Sequence, residues 1–195
     1  MSERRRYHAG DLPGRLIREA RELLDEGGLK HLNLRALAAR AGITAGSLYH
    51  HYDSKAALLG VVAAGGFKEL RLELMRADGE AGEGRRLRGW ATVYFHFAVR
   101  EPALFSLMFD EDIAGLPQVV EAREAVLDVL RRIVAEVAAL AGRAPSATDD
   151  VTLAIWAASH GAASLAGSAA VRGELIEDVI AGLEALFRPG SLPPA

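Results

Sequence analysis

Cysteine is absent from the 195 residues, and long apolar runs are absent as well. Without cysteine the chain forms no disulfide, binds no metal through a thiolate and uses no cysteine nucleophile. No apolar stretch reaches the roughly 18 residues that a membrane-spanning helix needs. The basic start Arg4-Arg5-Arg6 leads into polar residues rather than into the apolar centre of a signal peptide. We therefore expect a cytoplasmic protein.

The alternation of apolar and polar residues that is typical of β-strands is also missing. Apolar residues instead recur at helical spacing almost from end to end. Half of the residues are apolar, which is enough for a substantial core. We predict an all-α fold with an N-terminal three-helix domain of the helix-turn-helix type and a larger C-terminal helical domain.

The net charge of −3 is distributed unevenly along the chain. Residues 1–58 contain 10 Lys and Arg against 7 Asp and Glu, whereas residues 59–195 contain 13 against 19. Four of the six histidines also lie in the first part: His8, His31, His50 and His51. This positive excess favours a polyanionic partner, although a difference of this size also arises by chance.

Capping residues and helix breakers divide the chain into predicted helices. The predicted helices are one that carries Leu12 to Leu24 and stops at Gly27-Gly28, Leu34 to Ala41 after Asn33, Ala45 to about His51 after Thr44, Lys55 to about Ala77 after Ser54, roughly Leu87 to Arg100, a short one that carries Leu104 to Phe109, Pro117 to about Gly142, about Thr148 to Ala170 and about Glu174 to Phe187. The stretch from Asp78 to Arg88 is predicted to be an exposed connection. The predicted domains are a flexible arm (1–11), a helix-turn-helix domain (12–58), a larger helical domain (59–188) and a disordered tail (189–195).

The segment from Leu34 to Tyr49 places two short helices around a tight turn at Gly42. The second helix is rich in hydrogen-bonding residues that it cannot bury, namely Thr44, Ser47, Tyr49, His50 and His51. Such a helix suits insertion into the major groove of DNA. Arg35 is long enough to reach a guanine edge or a phosphate, and Lys55 is suited to a phosphate. Taken alone, the same pattern is more often a helical hairpin without a nucleic-acid partner.

The run from Asn33 to Leu58, with Gly42-Ile43-Thr44-Ala45-Gly46-Ser47-Leu48-Tyr49-His50-His51-Tyr52-Asp53-Ser54-Lys55 at its centre, resembles the DNA-binding signature of TetR-type regulators. The resemblance has no gap, and Tyr52 stands where the family usually has Phe. It implies that Tyr49, His51 and Lys55 contact phosphates of double-stranded operator DNA. It also implies that Arg35, Thr44, Ala45 and Ser47 lie nearest the base edges. His50 is either a further DNA contact or a solvated residue, and Tyr49 could instead be a packing residue.

Half of the chain's twelve aromatic residues gather within a stretch of twenty residues in the larger domain, with His96 among them. Their density, with polar tips on Trp90, Tyr94 and His96, suits an apolar cavity with a few orienting hydrogen bonds, although each is also a candidate for packed core. Trp156 and His160 lie four apart and face the same way on a later helix. His160 either lines the pocket or is a core histidine bonded to a backbone carbonyl. The predicted ligand contacts are Trp90, Tyr94, Phe97, Phe105, Met108, Phe109, Trp156 and His160, and we expect no metal and no cofactor.

Small residues between Ile155 and Gly167 favour close packing against another helix. The spacing of Trp156, His160 and Gly161, together with the segment from Glu101 to Phe109, is similar to a TetR C-terminal subgroup named for its Trp-His-Gly motif. The resemblance implies a homodimer in which residues 148–170 and 174–187 of two copies form a four-helix bundle.

Motifs of common enzymes are missing, including a phosphate loop, a His-Glu-x-x-His helix and a Gly-x-Ser-x-Gly turn. We therefore predict a non-enzymatic, ligand-responsive transcriptional regulator, a repressor that a small apolar or weakly polar effector releases from its operator. Two alternatives stay open. One is a constitutive DNA-binding regulator without a small-molecule effector, and the other is an all-α small-molecule-binding protein or enzyme.

Overall fold

The structure, a computed structural model, describes residues 12–82, 85–140, 148–166 and 177–182. The helices in these ranges are α1 (Leu12–Gly27), α2 (Leu34–Arg40), α3 (Ala45–Tyr49), α4 (Lys55–Glu80), α5 (Arg86–Arg100), α6 (Pro102–Met108), α7 (Pro117–Leu140) and α8 (Thr148–Ala166), and residues 177–182 are helical too. No strand occurs among the described residues, and the all-α prediction is confirmed. None of the described helices is long and apolar enough to cross a membrane.

Side-chain caps begin α2, α3 and α4 at the residues that the sequence predicts. In each, the cap oxygen accepts a hydrogen bond from the amide three residues on, at 2.9 Å for Asn33, 3.1 Å for Thr44 and 3.0 Å for Ser54. Each bond satisfies an amide that has no partner within its own helix. The beginnings of these helices are therefore fixed by local chemistry.

Two glycines turn the chain between the first three helices. Gly28, just after α1, and Gly42, between α2 and α3, have φ angles of +68° and +65°. Residues other than glycine are strained in this left-handed region, so glycine is the residue that allows both turns.

The described residues form two compact units. The first unit comprises residues 12–67 and Ala103–Ala122, and the second comprises Lys68–Pro102 and the described residues from Arg123 onward. The division falls inside α4, as does the predicted domain boundary between residues 58 and 59, which stays a prediction.

The core of the first unit is formed by leucines, alanines and aromatic residues of its helices. Its buried residues include Leu16, Ala20 and Leu24 of α1, Leu37 and Ala38 of α2, Leu48 of α3, Leu58, Val62 and Phe67 of α4, and Leu104, Leu107 and Met108 of α6. The α4 and α6 helices approach closely at Gly66, where an added Cβ would lie 2.8 Å from Met108 Sδ. Gly66 is therefore needed for the close packing of α4 on α6.

The second unit is organised by the packing of α5 along α8. Its core holds Trp90, Tyr94 and Phe97 of α5, Val126, Leu130 and Ile133 of α7, and Ile155 and Ala162 of α8.

The predicted exposed connection from Asp78 to Arg88 is wrong at both ends. The α4 helix continues to Glu80, and α5 already begins at Arg86. The Asp78 side chain is only 7% exposed, and its carboxylate accepts hydrogen bonds from Arg86 at 2.5 and 2.8 Å and from Arg132 at 2.8 Å. Because Arg132 lies 54 residues away in sequence, local composition gave no sign of this ion cluster.

Several predictions fall on residues outside those described. They are the arm (1–11), the end of the helix near Gly142, the segments 167–170 and 174–176, the segment 183–187, and the tail (189–195).

Candidate nucleic-acid interface and ligand-binding cluster

The turn between α2 and α3 joins the two helices tightly. The Ile43 amide donates a hydrogen bond to the Ala38 carbonyl at 2.9 Å, and the Gly42 amide donates to the Ala39 carbonyl at 3.1 Å. Below the turn, Leu37 and Leu48 are fully buried. The short α3 helix is therefore held by its apolar side and by the turn, which leaves its other side free of packing.

The residues that were predicted to contact DNA lie on α3, directly beside its ends, in the first turn of α2 and at the start of α4. Tyr49 is 53% exposed. Ser47 is half-buried, and the other predicted contacts are exposed: Arg35, Thr44, Ala45, His50, His51 and Lys55. We call these eight residues the α3 face, and all of them lie in the first unit. The Thr44 side-chain oxygen also caps α3, so this residue both starts the helix and borders the face.

Arg40, in the last turn of α2, is held by three carboxylates of α1. Its guanidinium donates hydrogen bonds to Glu19 at 3.1 Å, to Glu22 at 2.7 Å and to Glu26 at 2.6 Å. The three glutamates follow one side of α1 at helical spacing, so one cation ties α2 to about two turns of α1. These three ion pairs orient α2, and with it the turn that supports α3.

A hydrogen-bonded cluster lies between α5 and α8 in the second unit. Trp156 Nε1 donates to Tyr94 Oη at 3.3 Å, and Tyr94 Oη lies 3.0 Å from His160 Nδ1. The Trp90 ring stacks on Tyr94 with ring centroids 5.0 Å apart and an interplanar angle of 17°. His160 Nε2 in turn lies 3.5 Å from Ser164 Oγ. We call Trp90, Tyr94, Trp156 and His160 the α5–α8 cluster.

Burial keeps the titratable groups of this cluster uncharged. It lowers the pKa of His160 below its ordinary value, which favours the neutral imidazole at neutral pH. It raises the pKa of the Tyr94 phenol, which is therefore protonated at every physiological pH. Since Trp156 can only donate to Tyr94 Oη, the phenolic proton is available to His160 Nδ1. The α5–α8 cluster is thus an uncharged network in which Trp156 donates a hydrogen bond to Tyr94 and Tyr94 donates one to His160.

His160 belongs to the α5–α8 cluster, and its two predicted roles, lining a pocket or acting as a core histidine, both stay predictions. Its ring nitrogens lie near the side chains of Tyr94 and Ser164. It is half-buried and contacts the Trp156 ring with centroids 6.0 Å apart, as their spacing of four residues predicts. His96 is exposed on α5, where its ring lies against that of Phe95 with centroids 6.1 Å apart, and its role as a polar group of a cavity stays a prediction.

The remaining predicted ligand contacts divide between the two units. Phe97 is buried in the second unit, where the Arg100 guanidinium carbon lies over its ring, 5.4 Å from the ring centroid. Phe105, Met108 and Phe109 lie in the first unit. There, Phe109 packs against Phe105 and against Phe67, with ring centroids 5.1 and 5.3 Å apart. Their role as ligand contacts stays a prediction.

Three residues of these sites were missed from the sequence. Ser164 follows His160 by four residues, a spacing that could have indicated the contact. Ser159 is 99% buried, but it stands in a run of small residues where nothing marks it. Phe67 lies far from the other aromatic residues in sequence. Among the described residues, no group of three or more His, Asp or Glu is arranged to hold a metal ion.

Two family descriptions match this chain. Residues 16–62 match bacterial regulatory proteins of the tetR family, and residues 87–188 match the tetracyclin repressor-like C-terminal domain. A search of curated proteins found no match.

Solved structures also resemble this chain over most of its length. A protein with unknown function from Rhodococcus sp. RHA1 is 32% identical, with 92% of this chain and 95% of that chain covered and a TM-score of 0.79. The transcriptional regulator FadR from Bacillus subtilis, in complex with stearoyl-CoA, is 14% identical, with 92% and 99% covered and a TM-score of 0.73. A TetR-family transcriptional regulator from Streptomyces coelicolor is 23% identical, with 90% and 96% covered and a TM-score of 0.66. The last two, at these identities, support the fold alone.

Proposed function

Because the chain belongs to the tetR family of bacterial regulatory proteins, we propose that this DNA-binding regulator is a ligand-responsive repressor that works as a homodimer. An effector bound in the second unit releases the operator. The observation that carries the proposal is the α3 face, whose helix packs on buried Leu37 and Leu48 and whose side chains are small or polar and, apart from half-buried Ser47, exposed.

We assign the DNA contacts by chemistry and position. Arg35 carries a planar guanidinium that suits a guanine edge, whereas Thr44, Ala45 and Ser47 are small enough for the backbone of α3 to lie close to the bases. Tyr49, His50, His51 and Lys55 surround them and are suited to phosphates. Phosphate contacts fix the position of the helix, and the base contacts supply the sequence preference.

The homodimer is supported by the exposed side of α8. Leu153, Ala154, Ala157 and Leu165 are exposed and fall on one stripe of about 120° at 100° per residue. Exposed leucines along one side of a helix favour pairing with a second copy. In a dimer, two copies of α3 would read the two halves of a roughly palindromic operator.

The coupling between effector and operator runs through α4 in this proposal. This helix begins beside the α3 face at Lys55, and its residues from Lys68 onward belong to the second unit. An effector that binds more tightly when α4 is in one of two positions shifts the population toward molecules with α4 in that position. A coupling of about 1 to 3 kcal/mol, which changes operator affinity roughly 5- to 150-fold, is ordinary for such a device.

The Trp-His-Gly subgroup stays part of this proposal, since Trp156 and His160 are joined through Tyr94. The FadR structure contains stearoyl-CoA, which supports a small-molecule effector for this chain. A regulator without an effector would retain the α3 face but would not need a neutral network in its second unit.

In vitro transcription from the promoter beside the chain's own gene tests the proposal. We expect the protein to reduce transcript from that promoter and not from an unrelated one, and Arg35→Ala to relieve the reduction. Adding fractions of an organic extract of the source cells should restore transcript in at least one fraction. Increased transcript on adding protein would show an activator, and repression that no fraction relieves would show a constitutive regulator.

A further inference from the structure

We propose that the α5–α8 cluster binds an uncharged effector with a carbonyl oxygen, and that this oxygen accepts a hydrogen bond from the indole N–H of Trp90. The inference rests on the proposed function and deepens it, since it names the chemical class of the effector and the atom that recognises it.

The first observation is an unused donor. Trp90 is 1% exposed, and among the described residues its Nε1 has no hydrogen-bond partner. An indole N–H can only donate, so it needs an acceptor from elsewhere. Leaving a buried donor unpaired is unfavourable, and native structures contain few such groups. A ligand oxygen that accepts this bond would remove the penalty, which gives the site a preference for ligands with an acceptor.

The second observation is that the neighbouring donors are already used and held in place. Trp156 Nε1 is bonded to Tyr94 Oη, and Tyr94 Oη is bonded to His160 Nδ1. Stacking on Tyr94 fixes the plane of the Trp90 ring, so its N–H has a defined direction. The cluster therefore offers one free, oriented donor beside aromatic faces, an arrangement suited to a flat molecule with an oxygen at one end.

The third observation concerns charge. All four side chains of the cluster are uncharged at neutral pH, because burial lowers the pKa of His160 and raises the pKa of Tyr94. A carboxylate placed here would lose its hydration without gaining a counter-charge from the cluster, which is costly. A neutral carbonyl accepts the same hydrogen bond without that cost. The site should therefore prefer ketones, esters or lactones to the corresponding acids.

Ser159 adds a further polar group on α8. It is 1% exposed, and its Oγ has no hydrogen-bond partner among the described residues. A hydroxyl can donate or accept, so it is compatible with a neutral ligand that carries a second polar atom.

The chain contains only two tryptophans, so protein labelled with ¹⁵N at the indole gives two signals, one from Trp90 and one from Trp156. Trp156→Phe assigns them. We would titrate the full chain with three probes of one shape: 2-acetylnaphthalene, which is a neutral ketone, 2-isopropenylnaphthalene, which lacks the oxygen, and 2-naphthoate, which is charged. The ketone should move the Trp90 indole proton downfield, leave the Trp156 signal nearly unchanged, and bind about tenfold more tightly than the hydrocarbon.

Trp90→Phe keeps an aromatic face but removes the donor. In this variant the ketone and the hydrocarbon should bind equally, while an unshifted Trp156 indole signal would show that the cluster is intact. The inference is overturned if no probe binds, if 2-naphthoate binds more tightly than the ketone, or if the ketone leaves the wild-type Trp90 signal in place. The wild-type titration needs no variant, so it tests the inference even if Trp90→Phe folds poorly.

The same probes separate this inference from the proposed function. Release of operator DNA by a charged compound, with the Trp90 signal unchanged, would overturn the inference and leave the ligand-responsive regulator intact. Absence of any sequence-specific DNA binding by the wild-type protein would overturn the proposed function whatever the indole signals show.

Discussion

At the scale of single residues, Lys55 is exposed at the first position of α4, directly after the cap Ser54. If it neutralises a phosphate, Lys55→Ala should weaken binding to operator and random DNA alike. The slope of log affinity against log salt should fall by about 1 for each Lys55 removed, or about 2 for a dimer. Fluorescence anisotropy on labelled DNA, at salt concentrations from about 50 to about 300 mM, measures both effects.

Lys68 provides the matched control, because it is the other lysine of α4 and is also exposed. Lys68→Ala removes the same charge but lies outside the α3 face, so it should leave the salt slope unchanged. Equal slopes for Lys55→Ala and Lys68→Ala would show that Lys55 contacts no phosphate.

Asp78 is a charged residue of the second unit that is bonded to two arginines. Hydrogen bonds from Arg86, together with the nearby charge of Arg132, lower the pKa of Asp78. Asp78→Asn should reduce the free energy of unfolding at pH 7 by about 2 kcal/mol, a drop in Tm of about 4 to 8 °C for a chain of this length. Chemical denaturation and thermal unfolding measure the two quantities.

The pH dependence follows from the direction of that shift. With a folded-state pKa below the unfolded value of about 3.9, the stabilisation by Asp78 is complete at neutral pH and is lost as the pH falls through and below that value. The wild type should therefore lose more stability than Asp78→Asn between about pH 5 and pH 3. Parallel pH profiles for the two proteins would contradict this role of Asp78.

At the scale of helices, neighbouring glycines of α4 should respond oppositely to alanine. An added Cβ at Gly65 meets no atom within 4 Å, whereas at Gly66 it would lie 2.8 Å from Met108 Sδ and 3.1 Å from Leu104. Gly65→Ala should stabilise the chain by up to about 1 kcal/mol through helix propensity. Gly66→Ala has the same gain in helix propensity, but overpacking should cost about 1 to 3 kcal/mol, so the variant should be less stable than the wild type. Urea denaturation of the two variants compares them directly, and equal stabilities would show that α4 and α6 are not closely packed at Gly66.

The features of the helices that depend on neighbouring residues could be predicted from the sequence, and those that depend on distant residues could not. The starts of α2, α3 and α4 were predictable because Asn33, Thr44 and Ser54 bond amides three residues away. The close approach at Gly66 was not, because it depends on α6, about 40 residues later. The sequence predicted an exposed connection from Asp78 onward, but α4 continues through Gly79 to Glu80, and Asp78 bonds Arg86 and Arg132.

The candidate sites differ in the same way. The α3 face was predictable since it comes from one continuous segment with fixed spacing. The pairing of Trp156 with His160 followed from helical spacing, whereas their joint contact with Tyr94 joins residues more than 60 positions apart. Likewise, no local pattern could assign Phe105 and Phe109 to Phe67 rather than to Trp90.

At the scale of the whole molecule, two exposed leucines of the second unit allow a test of the dimer. Leu153 on α8 is 58% exposed and Leu72 on α4 is 59% exposed. Leu153→Glu should raise the dissociation constant of the dimer at least tenfold, since it places two charges in the proposed interface, whereas Leu72→Glu should leave it unchanged. Sedimentation equilibrium gives both constants. Dissociation by Leu72→Glu alone would move the interface away from α8.

The central claim is that the α3 face reads operator DNA, and anisotropy on the intergenic DNA beside the chain's own gene tests it most directly. The wild type should prefer this DNA to random DNA by at least about 10³-fold at physiological salt. Tyr49→Ala, which removes an exposed side chain and should leave folding and dimerisation intact, should weaken operator binding at least about tenfold, whereas Lys68→Ala should not. A preference that survives Tyr49→Ala, or no preference in the wild type at any salt concentration, would contradict the claim.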